Sequence, residues 1–146
     1  MLRQAPHTRE FDRLFIGGEF VEPTAGSFIE SINPATGDVW ESVAMAEAPD
    51  VDAAVDAADI AFRQGPWRKM TGVQRARLLE ELARLIESQA DALAAIDSTD
   101  NGKPITLCRA DAVNAAYWLR YFAGLADKLH GEYLPVSGND WAYTVP

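Results

Sequence analysis

The sequence has few of the residues that mark disulfide scaffolds, metal centres and phosphate-binding loops. Its 146 residues include one cysteine, Cys108, and two histidines, His7 and His130. A single cysteine excludes an internal disulfide framework and a cysteine-rich zinc site. Neither a G-x-G-x-x-G pattern nor a Walker loop is present, so nucleotide binding has no local signature.

Positive charge and long apolar runs are also scarce. There are 13 Lys and Arg against 22 Asp and Glu, which gives a net charge of −9 and disfavours nucleic acid and anionic membrane surfaces as partners. The longest uncharged stretch, Ala112 to Leu119, is far shorter than the roughly 20 residues that span a bilayer. Residues 1–10 have no apolar core, so they do not form a secretory signal. Together these features predict a cytoplasmic globular protein.

The first half of the sequence predicts two β-hairpins over 14–45. Gly17 and Gly18 separate two short β-prone runs, and glycine tolerates the positive φ of a two-residue turn. The second hairpin is predicted between 28–32 and 39–43, which an Asn-Pro-Ala-Thr-Gly turn connects. The preceding residues, 1–12, are polar and predict a flexible arm.

The rest of the sequence predicts three helices, over about 49–64, 71–100 and 107–130. The first has Pro49 in its opening turn and a one-sided apolar stripe, and the second opens with a Thr71–Gln74 capping box. The third helix is apolar on most faces, so it is expected to pack against something larger than this chain. A final strand is expected from Trp141 onward.

No catalytic constellation follows from the residues alone. Cys108 lies near the start of a predicted helix, where a thiolate could be stabilised, but an inert buried thiol is the favoured interpretation. His130 is expected at a helix C-terminus, where the dipole favours a cation, rather than as a catalytic base. The basic-aromatic segment at Trp67 is too short to indicate nucleic-acid binding, and no pair of carboxylates stands out as acid and base.

Six segments in a fixed order nevertheless resemble one family. They are Leu-Phe-Ile-Gly-Gly-Glu-Phe-Val, Asn-Pro-Ala-Thr-Gly, Pro-Trp-Arg-Lys-Met, Arg-Ala-Arg-Leu-Leu, Asp-Asn-Gly-Lys-Pro and Tyr-Phe-Ala-Gly-Leu-Ala-Asp-Lys-Leu-His-Gly, which begin at residues 14, 33, 66, 75, 100 and 121. In this order the sequence from about residue 13 to 146 resembles the N-terminal segment of the NAD(P)-dependent aldehyde dehydrogenases. A single segment is weak, but six in order and spacing are specific.

The resemblance implies an α/β parent fold with a Rossmann-like cofactor domain. Residues 13–138 would form the N-terminal part of that domain, and residues 139–146 would begin the oligomerisation arm. Family members oxidise aldehydes to carboxylic acids with NAD or NADP, using a cysteine nucleophile, a glutamate and an asparagine. All three, and the cofactor loop, match no position here, so the chain by itself is expected to be inactive, with no catalytic and no cofactor-binding residue.

One site is implied to carry over. Many relatives hold a structural monovalent cation near the second hairpin, and the matching positions are Ser31, Ile32 and Asp100. The resemblance implies that the ligands are one or two backbone carbonyls of the hairpin and the carboxylate of Asp100, and such oxygen ligands suit hard cations. For this chain alone we favour the simpler interpretation, in which Asp100 only ends a helix and Ser31 is only a strand residue; within a complete enzyme we favour the cation site.

The resemblance also explains the apolar third helix, whose sheet-facing side would lie uncovered in this chain. Such a patch predicts self-association, or pairing with a paralogous subunit. Three interpretations stay open: a truncated or split piece of an aldehyde dehydrogenase, a non-enzymatic module that pairs with a full-length paralogue or a complementary chain, and the product of a disrupted gene. An aldehyde is the expected substrate only in a complete enzyme; neither nucleic acid nor a membrane is an expected partner.

Overall fold

A computed structural model describes residues 11–145. Two hairpins come first, a set of helices follows, and a short pair of strands ends the described chain. The strands are β1 (Leu14–Ile16), β2 (Glu19–Val21), β3 (Phe28–Ile32), β4 (Val39–Ala44), β5 (Tyr133–Leu134) and β6 (Ala142–Tyr143). The α-helices are α1 (Ala48–Gln64), α2 (Gly72–Ser88), α3 (Ala90–Asn101) and α4 (Ile105–Leu125), with a 3-10 turn at Pro66–Lys69. Most of the predicted arm, 1–12, lies outside the described residues.

Both predicted hairpins are confirmed. Gly17 and Gly18 adopt φ of +65° and +91°, which is the backbone that a two-residue turn between β1 and β2 needs. In the second hairpin the N–H of Gly37 donates to the carbonyl of Asn33 over 2.8 Å and closes the turn. Ser31 faces Glu41 and the next residue pairs with Val39, so Trp40 is an extra residue, a β-bulge in β4.

Helix α1 begins where the sequence predicted, and a buried carboxylate fixes its first turn. Asp50 Oδ2 accepts a hydrogen bond from the N–H of Glu47 at 2.9 Å, while Oδ1 accepts from the N–H and hydroxyl of Thr24 at 3.1 and 2.5 Å. These donors, above all the Glu47 N–H, hold the pKa of Asp50 below its usual value. The carboxylate therefore joins the segment after β2 to the start of α1.

The single helix predicted over 71–100 is wrong, because the chain breaks at Gln89. The predicted capping box does begin α2: Thr71 Oγ1 accepts from the N–H of Gln74. At the other end the Ser88 hydroxyl donates to the carbonyl of Leu85 at 2.8 Å and competes with the helical hydrogen bonds. Gln89 then adopts φ −109° and ψ 10°, and α3 begins as a separate helix at the next residue.

The third predicted helix, 107–130, begins earlier and ends earlier than expected. It is α4, whose N-cap is Pro104 and whose C-cap is Ala126. The N–H of Ala126 donates to the carbonyl of Ala123, and that of Lys128 to Leu125, so the last turn tightens and closes the helix. His130 thus lies beyond the helix, where its Nδ1 meets the carbonyl of Lys128 at 2.7 Å, and the expected interaction with the helix end is wrong.

The strand expected from Trp141 is present as the short β6. It pairs antiparallel with β5, a strand that the sequence did not predict, with Tyr133 opposite Tyr143. The pairing is extended by Thr144, whose N–H donates to the carbonyl of Glu132 at 2.9 Å and whose hydroxyl accepts from the Glu132 N–H. These contacts close a hairpin over the last fifteen or so described residues.

The core between α2, α3 and α4 is built from small side chains. Its buried apolar members among the described residues are Ala83, Ala90, Ala94, Cys108, Ala116 and Ala123. Alanine contacts let helix axes approach closely, and α4 packs against both α2 and α3. None of the described helices has the combination of length and hydropathy that a membrane crossing requires.

Large apolar side chains lie around this core instead of inside it. On α4, Tyr117, Trp118, Tyr121 and Phe122 pack ring against ring at 5.4 to 6.3 Å between centroids. We call these four residues the aromatic face. Trp118 is 48% exposed and Phe122 is 57% exposed, so the expected uncovered apolar side of this helix is confirmed. Association through it stays a prediction.

An ion pair also joins α2 and α4. Arg120 places its two terminal nitrogens 2.5 Å from the two carboxylate oxygens of Glu87, and its Nε lies 3.3 Å from Glu80. Hydrogen bonding to Arg120 lowers the pKa of Glu87, and the same bonds raise the pKa of Arg120. The fork geometry favours one orientation of the two helices.

The lowered pKa of Glu87 makes the stability of the chain depend on pH. The ion pair contributes fully above the ordinary value of 4.5, and the contribution is lost as pH falls through the lower value of the folded chain. We expect E87Q to lower Tm at pH 7, and the difference from the parent chain to shrink toward zero as pH falls well below 4.5. Thermal melts followed by circular dichroism measure this. The matched control is E81Q, which changes an exposed neighbour and should have the Tm of the parent chain at every pH. A Tm difference between E87Q and the parent chain that stays constant with pH would contradict the role of the Glu87–Arg120 ion pair.

Gly72 permits the close contact between the start of α2 and the end of α4. A Cβ added there would lie 2.4 Å from the carbonyl oxygen of Ala126, and backbone atoms cannot move away easily. We expect G72A to reduce the free energy of unfolding by about 1–3 kcal/mol. G124A, whose new methyl meets nothing within 4 Å, should instead raise it by about 0.5–1 kcal/mol. Urea unfolding distinguishes the two, and equal effects would refute the contact.

Candidate functional site

A hydroxyl, a carboxylate and an indole nitrogen meet where the second hairpin lies on the end of α3. Ser31 Oγ donates to Asp100 Oδ1 at 2.5 Å. The Nε1–H of Trp40 is shared between Ser31 Oγ at 3.0 Å and Asp100 Oδ1 at 3.3 Å. We call these three residues the Ser31–Trp40–Asp100 cluster. It joins residues that are 69 and 60 positions apart in the sequence.

Two backbone features bring the cluster together. The β-bulge in β4 places Trp40 as the extra residue beside Ser31, and bulges commonly redirect a side chain in this way. At the end of α3, Gly102 adopts φ +76° and caps the helix two residues after Asp100. A Cβ on Gly102 would lie 2.9 Å from Cγ of Pro34, so the α3–α4 turn and the hairpin turn are in close contact.

The chemistry of the cluster is that of oxygen ligands. A carboxylate and a hydroxyl, with strand carbonyls at Ser31 and Ile32, suit a hard monovalent cation better than a transition metal. No group of three His, Cys, Asp or Glu side chains able to hold a metal ion occurs within the described residues. The structure brings Ser31 and Asp100 together, whereas the side chain of Ile32 is exposed. Cation binding at the three positions stays a prediction.

The only thiol is placed for packing. Cys108 is 2% exposed, and its Sγ lies 3.5 Å from the carbonyl of Lys103, to which the S–H donates. Burial raises the pKa of the thiol, and the neighbouring Asp97 raises it further. A thiol held neutral at pH 7 is a poor nucleophile, in agreement with the inert interpretation of the sequence.

Trp40 is the member of the cluster that sequence reasoning missed. The signal was present, because a tryptophan at the start of a strand beside an Asn-Pro-Ala-Thr-Gly turn brings an N–H donor close to the opposite strand. What the sequence does not display is the bulge, which decides on which side of β4 that donor lies. A regular ladder would have paired Trp40 with Ile32 and directed its side chain differently.

The family of the chain follows from comparison with known proteins. The model of the aldehyde dehydrogenase family matches residues 20–146. The chain is 43% identical over 129 residues to aldehyde dehydrogenase family 2 member C4 of Arabidopsis thaliana, which covers 88% of this chain and 26% of that protein. It is 44% identical to (Z)-2-((N-methylformamido)methylene)-5-hydroxybutyrolactone dehydrogenase of Acinetobacter baylyi, over 88% of this chain and 26% of that protein.

Solved structures agree in fold. The NAD+ complex of the aldehyde dehydrogenase from Bacillus cereus superimposes with a TM-score of 0.83 at 42% identity, over 92% of this chain and 28% of that one. Betaine aldehyde dehydrogenase from Staphylococcus aureus, in complex with NAD+, gives 0.81 at 32% identity, over 89% of this chain and 26% of that one. The resemblance seen in the sequence is therefore confirmed. The chain belongs to the aldehyde dehydrogenase family and spans about a quarter of the length of these relatives.

Gly102 allows a test of the contact that holds the cluster together. Alanine there suffers the strain of a positive φ and also meets Pro34, whereas alanine at Gly37, with φ +80°, suffers the strain alone because nothing lies within 4 Å. We expect G102A to lose about 1 kcal/mol more free energy of unfolding than G37A. Urea titration of the two variants measures the difference. Equal losses would mean that the two turns do not rely on this contact.

Proposed function

We propose that this chain is the N-terminal part of an oxidoreductase that oxidises aldehydes to carboxylic acids with NAD or NADP. The observation that carries the proposal is the family match over residues 20–146, supported by the 42% identical Bacillus cereus enzyme in complex with NAD+. In such an enzyme the bound nicotinamide cofactor accepts hydride from the substrate.

Within that enzyme, residues 11–145 would serve as structure. Helices α2, α3 and α4 form a packed layer whose outer surface on α4 is the aromatic face, and the remainder of the enzyme would cover that face. Removing four large aromatic side chains from water favours such packing, at roughly 25 cal/mol per Å² buried. The second hairpin is tied to this layer through the Ser31–Trp40–Asp100 cluster and through Gly102.

We further propose that the 146 residues by themselves do not turn over aldehydes. The argument rests on Cys108: the only thiol of the chain is buried, donates to a backbone carbonyl, and has a raised pKa. The family chemistry needs an activated thiolate that can reach a carbonyl group. No described side chain meets that requirement.

A second candidate function is a non-enzymatic module that pairs with a full-length paralogue or a complementary chain. It is favoured by one observation, the exposure of the aromatic face. Contiguous apolar patches of several hundred Å² on a folded chain mark interaction surfaces. The two proposals share a surface and differ in whether the pairing restores chemistry.

Measurement of NADH or NADPH formation tests the proposal that the chain by itself does not turn over aldehydes. The purified chain with an aliphatic aldehyde and NAD+ or NADP+ should give no absorbance increase at 340 nm above the blank, while the Bacillus cereus enzyme serves as the positive control. A rate from the chain that survives C108S would show chemistry elsewhere, and a rate abolished by C108S would overturn the structural assignment of this thiol.

The same assay with a second chain separates the two functions. The second chain is the Bacillus cereus enzyme lacking the part that aligns with this chain, and it should show no activity alone. Appearance of NADH on mixing supports a piece of an enzyme, whereas a stable complex without NADH supports the module. A variant with Trp118 and Phe122 changed to serine is the control, because both proposals require it to lose the complex. If neither NADH nor a complex forms, both proposals fail, because each requires the aromatic face to bind the second chain.

A further inference from the structure

We propose that Trp40 is a positioning residue whose indole N–H does in this chain what a monovalent cation would do, joining the second hairpin to the end of α3. The inference rests on the Ser31–Trp40–Asp100 cluster and on the contact of Trp40 with Phe11. It holds whether or not the chain takes part in aldehyde oxidation. Its consequence is that the sequence expectation of a cation at Ser31, Ile32 and Asp100 does not fit this chain.

The first step is the hydrogen-bond geometry. One oxygen, Asp100 Oδ1, accepts both the hydroxyl proton of Ser31 and a share of the Trp40 N–H. The Ser31 oxygen accepts the other share of that N–H at 3.0 Å. The Ser31 hydroxyl, the Trp40 N–H and Asp100 Oδ1 are therefore bonded to one another, and the hydrogen bonds to the carboxylate are charge-assisted.

The second step is electrostatic. A cation needs oxygen lone pairs that point to a common position, and its ligands must be free of competing donors. Here a lone pair of Ser31 and one oxygen of Asp100 face the positive end of the indole N–H dipole. A cation that used Asp100 Oδ1 together with the carbonyls of Ser31 and Ile32 would displace that donor from Asp100 or lie beside it, and the second arrangement is repulsive.

The third step is that the indole is held in place before it meets Asp100. The ring of Phe11 packs against that of Trp40 edge to face, with centroids 6.4 Å apart and planes at 75°. The carbonyl of Phe11 accepts from the N–H of Ala44 at 2.8 Å, which fixes that aromatic partner on β4. Trp40 is half-buried by these contacts, so little freedom is lost when its N–H bonds across to α3.

Salt identity provides the test. Tm of the chain is measured in sodium, potassium and tetramethylammonium chloride at one ionic strength, because the last cation is too large to be bound by these oxygens. We expect equal Tm for the parent chain in all three salts. W40F keeps the ring beside Phe11 and loses the N–H, so its Tm should fall by roughly 3–6 °C in tetramethylammonium and recover at least half of that loss in sodium or potassium. W141F, which changes an exposed indole, is the matched control and should respond to no salt.

A spectroscopic reading distinguishes positioning from plain packing. The chain has four tryptophans, so its 15N–1H spectrum holds four indole signals, and W40F identifies that of Trp40. This signal should shift in D100N and in S31A and stay unmoved when sodium replaces tetramethylammonium. If W40F fails to fold, W67F, W118F and W141F assign the other three signals and leave that of Trp40, which is then read from the parent chain and D100N.

Three results would overturn the proposal. One is a higher Tm of the parent chain in sodium or potassium that D100N abolishes, because the site would then take a cation with Trp40 present. Another is a W40F loss of equal size in all three salts, which would leave the indole as packing only. The third is an indole signal of Trp40 that does not respond to D100N.

Discussion

The close approach of α4 to α2 and α3 is the constraint on which the rest of the chain depends. The buried apolar side chains of these helices are alanines and one cysteine, with Ala83 and Ala116 completely buried. Small residues bring the helix backbones together, and they leave no room between the helices for the large aromatic side chains of α4. Those side chains lie on the outer surface for this reason, and the same closeness makes a methyl group at Gly72 intolerable.

Local turn chemistry made much of the fold predictable. The hairpins followed from Gly17, Gly18 and the Asn-Pro-Ala-Thr-Gly turn, whose conformations few other residues adopt. The break at Gln89 was not predictable in this way, because no glycine or proline marks it and the competing group is a serine hydroxyl. The early end of α4 has the same character: its last turn tightens through backbone hydrogen bonds that any sequence could make.

Part of the candidate site was predictable from the sequence and part was not. Ser31 and Asp100 came from the resemblance to the aldehyde dehydrogenases, and the structure brings their side chains together. Trp40 was missed because its place depends on a shift of one residue in strand pairing, which is a property of two strands together. The inert thiol expected at Cys108 stays a prediction, and its burial and raised pKa favour it.

The alanine core has a consequence for how this chain tolerates mutation. Scanning experiments that truncate side chains to alanine would pass over its most buried positions, because those positions are alanine already. These positions would lose stability only when the side chain is made larger. Serine or valine at Ala116 should therefore lower the free energy of unfolding more than removal of a neighbouring tyrosine ring. Within the helical layer the smallest side chains restrict the sequence most, whereas the side chains of the aromatic face become restricted once a covering surface packs against them.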